Sequence, residues 1–238
     1  MSAAIQHLSW DSDFFGFKVG SLRTPSLTAT DMQAIQEVGT KENYRLLYLV
    51  VCPVNETAVE IAEKNGAFLA NTKIIYRSGI QLVHGPISAN IRPYDPLNDD
   101  YVFLLELAYQ SGVYSRFRLD KQIPETKFRE MYQSWTQNSV NHRIADKVLV
   151  YDDNGLKGFV TVKNGPEAAS IGLLGVDKHS RGMGIGGKLC DAVRKVALQH
   201  HLNYVTVPTQ LENGPACTFY QKNGFEEYHR EQILHLWL

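Results

Sequence analysis

The stretch Gly172-Leu173-Leu174-Gly175-Val176-Asp177-Lys178-His179-Ser180-Arg181-Gly182-Met183-Gly184-Ile185-Gly186-Gly187-Lys188 decides how this chain is read. An apolar strand gives way to a turn dense in glycine, and the turn opens into a helix spanning about Gly184 to His200. Packing alone offers little reason for four glycines at that place. Glycines at a helix start let backbone N–H groups approach a ligand closely, and the positive end of the helix favours an anion there. The expected ligand is a pyrophosphate.

Three phosphate-binding patterns compete for these letters. Gly182, Gly184 and Gly187 fit the dinucleotide fingerprint G-x-G-x-x-G, but the next strand, Tyr204 to Val207, brings no acidic residue for a ribose, and too little chain follows for a doubly wound domain. Gly182, Gly187 and Lys188 fit most of a P-loop, yet Leu189 stands where a magnesium-binding hydroxyl belongs.

The third pattern fits. Arg181-Gly182-Met183-Gly184-Ile185-Gly186, directly after Leu173-Leu174-Gly175-Val176, resembles the Arg/Gln-x-x-Gly-x-Gly/Ala motif of the GNAT acetyltransferase superfamily. Asn213-x-x-Ala216-x-x-Phe219-Tyr220-x-x-x-Gly224-Phe225 resembles that family's second motif. The resemblance implies acetyl-CoA as cosubstrate, held by Leu174, Gly175, Val176, Arg181, Gly182, Met183, Gly184, Ile185, Gly186, Asn213 and Phe219. It further implies a strand at Leu174 to Val176 that splays from its neighbour to hold pantetheine and polarise the acetyl carbonyl. Tyr220 takes the place of the family's proton donor to the departing thiolate. The general base stays open among Glu167, Asp177, His179 and a water relay.

Outward from the motif, strands and helices alternate, the pattern of an α/β protein with a mixed sheet flanked by helices. Upstream lie a hairpin (Lys147 to Tyr151 and Leu156 to Val162, joined by Asp152-Asp153-Asn154-Gly155) and a third strand, Ala168 to Val176. Helices are expected from Tyr101 to Tyr109 and from Pro124 to Asn138, flanking a loop from Ser111 to Lys121. Downstream come a strand at Tyr204, a helix from about Gly214 to Lys222 and a closing strand at Gln232 to Trp237.

Nearer the N-terminus, Leu46 to Val51 is an unbroken apolar run and reads as a strand buried on both faces. A helix follows from Glu56 to Lys64, stopped by Asn65-Gly66, and then strand material from Ala67 to Gln81. Pro93 and Pro96 open a new unit. The division is therefore placed at residue 86, giving an N-terminal unit 1–86 and a catalytic domain 87–238. One internal echo links them: Asn55-x-x-Ala58 with Lys64-Asn65-Gly66 recurs as Asn213-x-x-Ala216 with Lys222-Asn223-Gly224. The N-terminal unit is expected to be a truncated copy of the same half-domain, although a helix with an Asn-Gly stop is common enough to arise twice independently.

Composition sets the outer bounds. Of 238 residues, 44% are hydrophobic and 21% charged, which suffices for a sizeable core. Lys and Arg number 24 against 25 Asp and Glu, so no basic field exists for nucleic acid or an anionic membrane. Cys52, Cys190 and Cys217 form no CxxC pair and suit a reducing compartment. No apolar run has the length of a membrane span, and Met1 to Trp10 lacks the form of a signal peptide, so a cytoplasmic protein is expected. The scattered histidines indicate no metal site.

A nearer resemblance runs along most of the chain, on Ser9-Trp10-Asp11-Ser12-Asp13-Phe14-Phe15-Gly16, Ser115-Arg116-Phe117-Arg118-Leu119-Asp120 and both motifs above. It points to the TDP-fucosamine acetyltransferase group, which acetylates the 4-amino group of a dTDP-linked 4-amino-4,6-dideoxygalactose in surface-polysaccharide synthesis. The resemblance implies a nucleotide-sugar acceptor and a homodimer. Arg116 and Arg118, with Tyr114 and Phe117 for stacking, are candidates to hold the acceptor's pyrophosphate and base. A protein or peptide amine as acceptor, or an acyl-CoA-binding module without catalysis, also fits the two motifs.

Overall fold

The computed structural model describes residues 4–82 and 86–238. Residues 1–3, the first of the N-terminal stretch read above, lie outside the described residues, as do 83–85, which adjoin the division expected at residue 86. The fold is mixed α/β, with strands flanked by helices, in two compact units. One comprises Met1–Ile74, Gln210–Glu212 and His229–Leu238, and the other Ile75–Thr209 and Asn213–Tyr228.

The first unit contains β1 (Gln6–His7), α1 (Ser9–Phe15), β2 (Lys18–Thr24), α2 (Ala29–Lys41), β3 (Tyr44–Val51), α3 (Glu56–Lys64) and the start of β4 (Phe68–Gly79). Strand β2 pairs parallel with β3, from Val19 opposite Leu46 to Thr24 opposite Val51. Its core gathers Leu22, Met32, Ile35, Leu47, Leu49, Val51, Val59 and Ala62 with Leu234 and Leu236. Helix α2 has no counterpart in the sequence reading. It starts at a capping box, where Asp31 N donates to Thr28 Oγ1 and Asp31 Oδ2 accepts from Thr28 N, and it buries Met32, Ile35 and Gly39.

The second unit continues with β5 (Ile91–Pro93), α4 (Tyr101–Ser111), α5 (Arg116–Leu119), α6 (Glu125–Val140), β6 (Lys147–Asp152), β7 (Leu156–Asn164), β8 (Ala168–Val176), α7 (Ile185–Gln199), β9 (Tyr204–Gln210), α8 (Gly214–Lys222) and β10 (Glu226–Trp237). Strands β5 to β8 form an antiparallel meander, and β9 joins β8 in parallel. Leu104, Leu107, Phe128, Tyr132, Val150 and Phe159 form a core under α4 and α6. The expected loop from Ser111 to Lys121 contains the short helix α5, because Ser115 Oγ caps it by accepting from Phe117 N at 3.4 Å.

The packing units differ from the sequence division in three places: the break falls between Ile74 and Ile75 rather than at residue 86, and both Gln210–Glu212 and His229–Leu238 go with the first unit. Strand β10 extends the second half of the sequence, yet from Gln232 to Trp237 it pairs antiparallel with β3, so His229–Leu238 belongs to the first unit. The two copies of the echo share their local structure. Asn55 and Asn213 each cap a nine-residue helix by accepting from Ala58 N (3.1 Å) and Ala216 N (3.2 Å). Asn65 and Asn223 each donate Nδ2 back to the carbonyl four residues earlier, both at 2.8 Å. Gly66 and Gly224 follow with φ of 90° and 75°.

Candidate active site

Strand β8 is built to part from β9. Its register with β7 slips between Val160–Leu174 and Val162–Ile171, so Gly172 and Leu173 together oppose Thr161. This is a β-bulge, which leaves an extra residue on one strand and strengthens the local twist. Thr161 Oγ1 fixes it by accepting from Leu173 N at 2.8 Å, and a Cβ on Gly172 would stand 2.9 Å from that oxygen. Beyond the bulge the ladder to β9 is over: the parallel pairs are Ala168–Tyr204, Ala169–Val205 and Ser170–Thr206, while both strands run on to Val176 and Gln210. The stretch of β8 without a β9 partner therefore runs from Ile171 to Val176.

At the open end of β8, Asp177 Oδ2 accepts from His179 N and starts a single 3-10 turn, Lys178–Ser180. Gly182 and Gly184 then take φ of 81° and 74°, left-handed values that cost a residue with a Cβ about 1–2 kcal/mol. Gly184 is the N-cap of α7 and supplies no side-chain cap, so the first N–H groups of the helix face the turn. Arg181 through Gly184 are exposed, with Met183 at 63%. Arg181 Nε donates to Val176 O at 3.2 Å. Its Nη2 reaches Gln110 Oε1 at 3.5 Å, and the same oxygen accepts from Lys178 N at 3.2 Å. Gln110, near the end of α4, thus braces both sides of the turn; nothing in the sequence pattern distinguished it from other polar helix residues.

The remaining glycines answer to packing. A Cβ on Gly186 would meet the Phe219 ring at 2.8 Å, and one on Gly187 would meet Asn223 Oδ1 at 2.7 Å. One on Gly175 would stand 2.7 Å from Leu107 O. The expectation that packing gives little reason for four glycines is corrected: two of them, Gly186 and Gly187, admit α8 against α7. Ile185 is buried on the other side, where a Cβ on Gly158 of β7 would stand 3.1 Å from its side chain.

Tyr220, on α8, is 6% exposed and lies among the rings of Tyr76 (5.9 Å), Phe219 (5.1 Å) and Phe225 (5.5 Å). Burial, and secondarily Cys190 and Cys217, push its phenol well above its ordinary value, so it stays protonated at neutral pH. Arg194, 2% exposed on α7, holds the region together: it donates to Ser78 Oγ, Asp191 Oδ1 and the carbonyl of Asn223, and its guanidinium lies over Phe225. Among the base candidates, Glu167 and His179 are exposed and Asp177 is engaged by the His179 N–H.

The basic segment expected to meet the acceptor makes contacts within its own unit. Phe117 is buried against Trp135, so its ring is not presented for base stacking. Arg118 pairs with Glu125 at 3.6 Å and lies over Phe128, which directs its charge onto α6. Arg116 is half-buried with its guanidinium over Phe117, and Tyr114 is half-buried.

A bulged strand parting from its parallel neighbour beside a glycine turn at a helix start brings unpaired backbone groups and an anion-favouring helix end together. Residues 110–225, the segment that holds the parted strands, the turn and α8, match the model of the acetyltransferase (GNAT) family. The chain has the GNAT fold, and the family uses acetyl-CoA to acetylate its acceptors. Among solved structures, a functionally unknown conserved protein from Staphylococcus epidermidis superposes with a TM-score of 0.71 at 14% identity, over 92% of this chain and 84% of that one. A GCN5-related N-acetyltransferase from Sphaerobacter thermophilus superposes at 0.60 with 16% identity, over 92% and 73%. A curated relative, the spore coat polysaccharide biosynthesis protein SpsD of Bacillus subtilis, is 26% identical over 143 residues, which is 60% of this chain. The match spans about half, 49%, of that relative's length.

Proposed function

We propose that this protein transfers the acetyl group of acetyl-CoA to the 4-amino group of a dTDP-linked 4-amino-4,6-dideoxyhexose, within a ternary complex. The observation that carries the acyl-transfer half of the reading is the ladder that stops after Ser170–Thr206 while both strands continue. Backbone groups freed by that parting suit an extended pantetheine arm, and those near Leu174 to Val176 suit the acetyl carbonyl. The N–H groups at the start of α7, with Arg181 braced by Gln110, suit the pyrophosphate. Asn213 spends its Oδ1 on capping α8, which leaves its amide NH2 for the pantetheine.

The neutral amine nitrogen attacks the thioester carbonyl carbon. The tetrahedral intermediate collapses by breaking the C–S bond, and the departing thiolate takes a proton from Tyr220, whose burial keeps the phenol in the protonated form a donor requires. The proton lost by the amine leaves through Asp177, His179 or Glu167, or through water. No covalent enzyme intermediate is involved.

The sugar half of the reading rests on the likeness to the TDP-fucosamine acetyltransferase group and on the B. subtilis relative, whose name places it in polysaccharide biosynthesis. Tyr114, Arg116 and Arg118 are the acceptor contacts in this reading. The catalytic region is the part of 87–238 that falls in the second unit, ending at Tyr228, and in this reading it works as a cytoplasmic homodimer.

The test mixes purified protein and acetyl-CoA with dTDP-4-amino-4,6-dideoxygalactose, its glucose epimer, and a peptide amine, and follows release of CoA thiol. Release with an amino sugar alone is expected. Release with the peptide alone overturns the acceptor, and silence with all three overturns acyl transfer to these amines.

A further inference from the structure

In the first unit the strand register assembles a cluster that the acyl-transfer site does not use. The β3/β10 ladder begins at Gln232 opposite Val51, so Cys52 and Glu231 are the next positions along it. His229 lies two residues before Glu231 on β10, on the same face by strand alternation. The outcome is three donor atoms within 4.8 Å of one another. Cys52 Sγ is 3.6 Å from His229 Nε2, and that nitrogen is 3.4 Å from Glu231 Oε2.

A tetrahedral zinc ion with bonds of about 2.3 Å to sulfur and about 2.0–2.1 Å to nitrogen and oxygen has S···N and N···O edges of roughly 3.5 and 3.3 Å. Both edges given above match within about 0.1 Å. A Cys–His–Asp triad places the thiol and the carboxylate on opposite ring nitrogens. Here both converge on Nε2, the arrangement of ligands around one ion. The remaining edge, from Sγ to the Glu231 carboxylate, lies within 4.8 Å, against about 3.5 Å in a regular tetrahedron.

Glu231 is already supported. Arg23 Nη2 meets its Oε2 at 2.7 Å and Lys73 Nζ meets its Oε1 at 3.1 Å. Burial works to raise the carboxyl, but Arg23 and Lys73 outweigh it and hold it below its ordinary value. A carboxylate has about four lone-pair sites, so two such contacts leave room for a metal, and ligating carboxylates are regularly held by outer hydrogen bonds of this kind. Mixed sulfur, nitrogen and oxygen donors in a three-ligand set with an open fourth position suit zinc over calcium or magnesium.

We propose that Cys52, His229 and Glu231 form a zinc site, its fourth position open to water, that ties the end of β3 to β10. The test uses the full chain, stripped with a chelator and dialysed against Zn2+ or Co2+ at one equivalent. One metal ion per chain is expected, with a thiolate-to-cobalt charge-transfer band in the near ultraviolet. Cys52→Ser is expected to abolish the band and weaken Zn2+ binding by on the order of tenfold or more. His229→Gln, at a side chain 37% exposed, should do the same and carries the test if the cysteine variant does not fold. No retained metal, or equal retention and an unchanged spectrum in a folded variant, overturns the site.

Discussion

Gly186 lies against the ring of Phe219, so closely that a Cβ at 186 would stand 2.8 Å from it. The first sequence motif therefore needs its last glycine because of a residue in the second. Gly182 and Gly184 have open space around the missing Cβ and are required by backbone conformation instead.

The two kinds of glycine separate experimentally. Gly186→Ala overpacks the α7/α8 contact and is expected to lower stability by about 1–3 kcal/mol, read by urea unfolding. Combining it with Phe219→Leu should recover part of that loss, since residues in contact couple. Gly182→Ala should cost about 1–2 kcal/mol of backbone strain and raise KM for acetyl-CoA. An additive double mutant would show that the clash is relieved elsewhere.

Much of this site was legible before the fold was. The strand Ala168–Val176 and the helices Glu56–Lys64 and Gly214–Lys222 fall where the sequence places them, because an Asn cap and an Asn-Gly stop are local signals. Helix α2 escaped notice because its buried side is short, Met32, Ile35 and Gly39, in an otherwise polar stretch. The return of β10 to β3 is invisible to any window, since it joins residues about 180 positions apart, such as Val51 and Gln232. Bracing by Gln110 and the Thr161-held bulge are likewise tertiary facts; a glutamine and a threonine at those positions carry no pattern. The pairing of Arg118 with Glu125 is another tertiary fact, since the two charges lie on separate helices.

Gln110 offers a direct check on the pyrophosphate turn. Gln110→Ala removes two hydrogen bonds to the turn, each worth about 0.5–1.5 kcal/mol net. A rise in KM for acetyl-CoA of about three- to tenfold is expected with kcat little changed, and Gln110→Glu, which keeps the acceptor, should recover most of it. Unchanged KM in the alanine variant would detach Gln110 from the site.

Tyr220→Phe tests proton donation without disturbing packing, because the ring contacts with Tyr76, Phe219 and Phe225 remain. Acetyl-CoA binding by calorimetry should persist while kcat falls by about a hundredfold. Full turnover in the phenylalanine variant would remove the tyrosine from the chemistry.

Arg92 joins three elements, bonding Asp99 at 2.6 Å and Asp152 at 2.5 Å. The guanidinium, through its hydrogen bonds, holds both carboxyls below their ordinary value of 3.8. Their contribution is full above about pH 4 and is lost as pH falls through the depressed values. Arg92 is about a third exposed, which reduces the effect, so Arg92→Met should cost about 1–2 kcal/mol at pH 7 and less at pH 2. Equal loss at both pH values would mean that packing, and not charge, carries the contact.

At the alkaline end the sign reverses. Burial pushes the Cys190 thiol from 9.0 up to about 12, and raises the phenols of Tyr220 and Tyr132 above 10.0. Each group is neutral in the fold while the unfolded chain ionises, so the stability it contributes is present below its unfolded value and is lost as pH climbs toward the folded one. Urea midpoints should hold from pH 6 to 8, then fall from about pH 9 by up to roughly 1.4 kcal/mol per pH unit per group. Cysteine ionises first in the unfolded chain, so Cys190→Ala should move the onset of the decline to about pH 10, where the tyrosines take over. An onset unmoved by the substitution would mean that Cys190 ionises as readily in the fold as out of it, and that the helix pair α7 and α8 admits solvent at its centre.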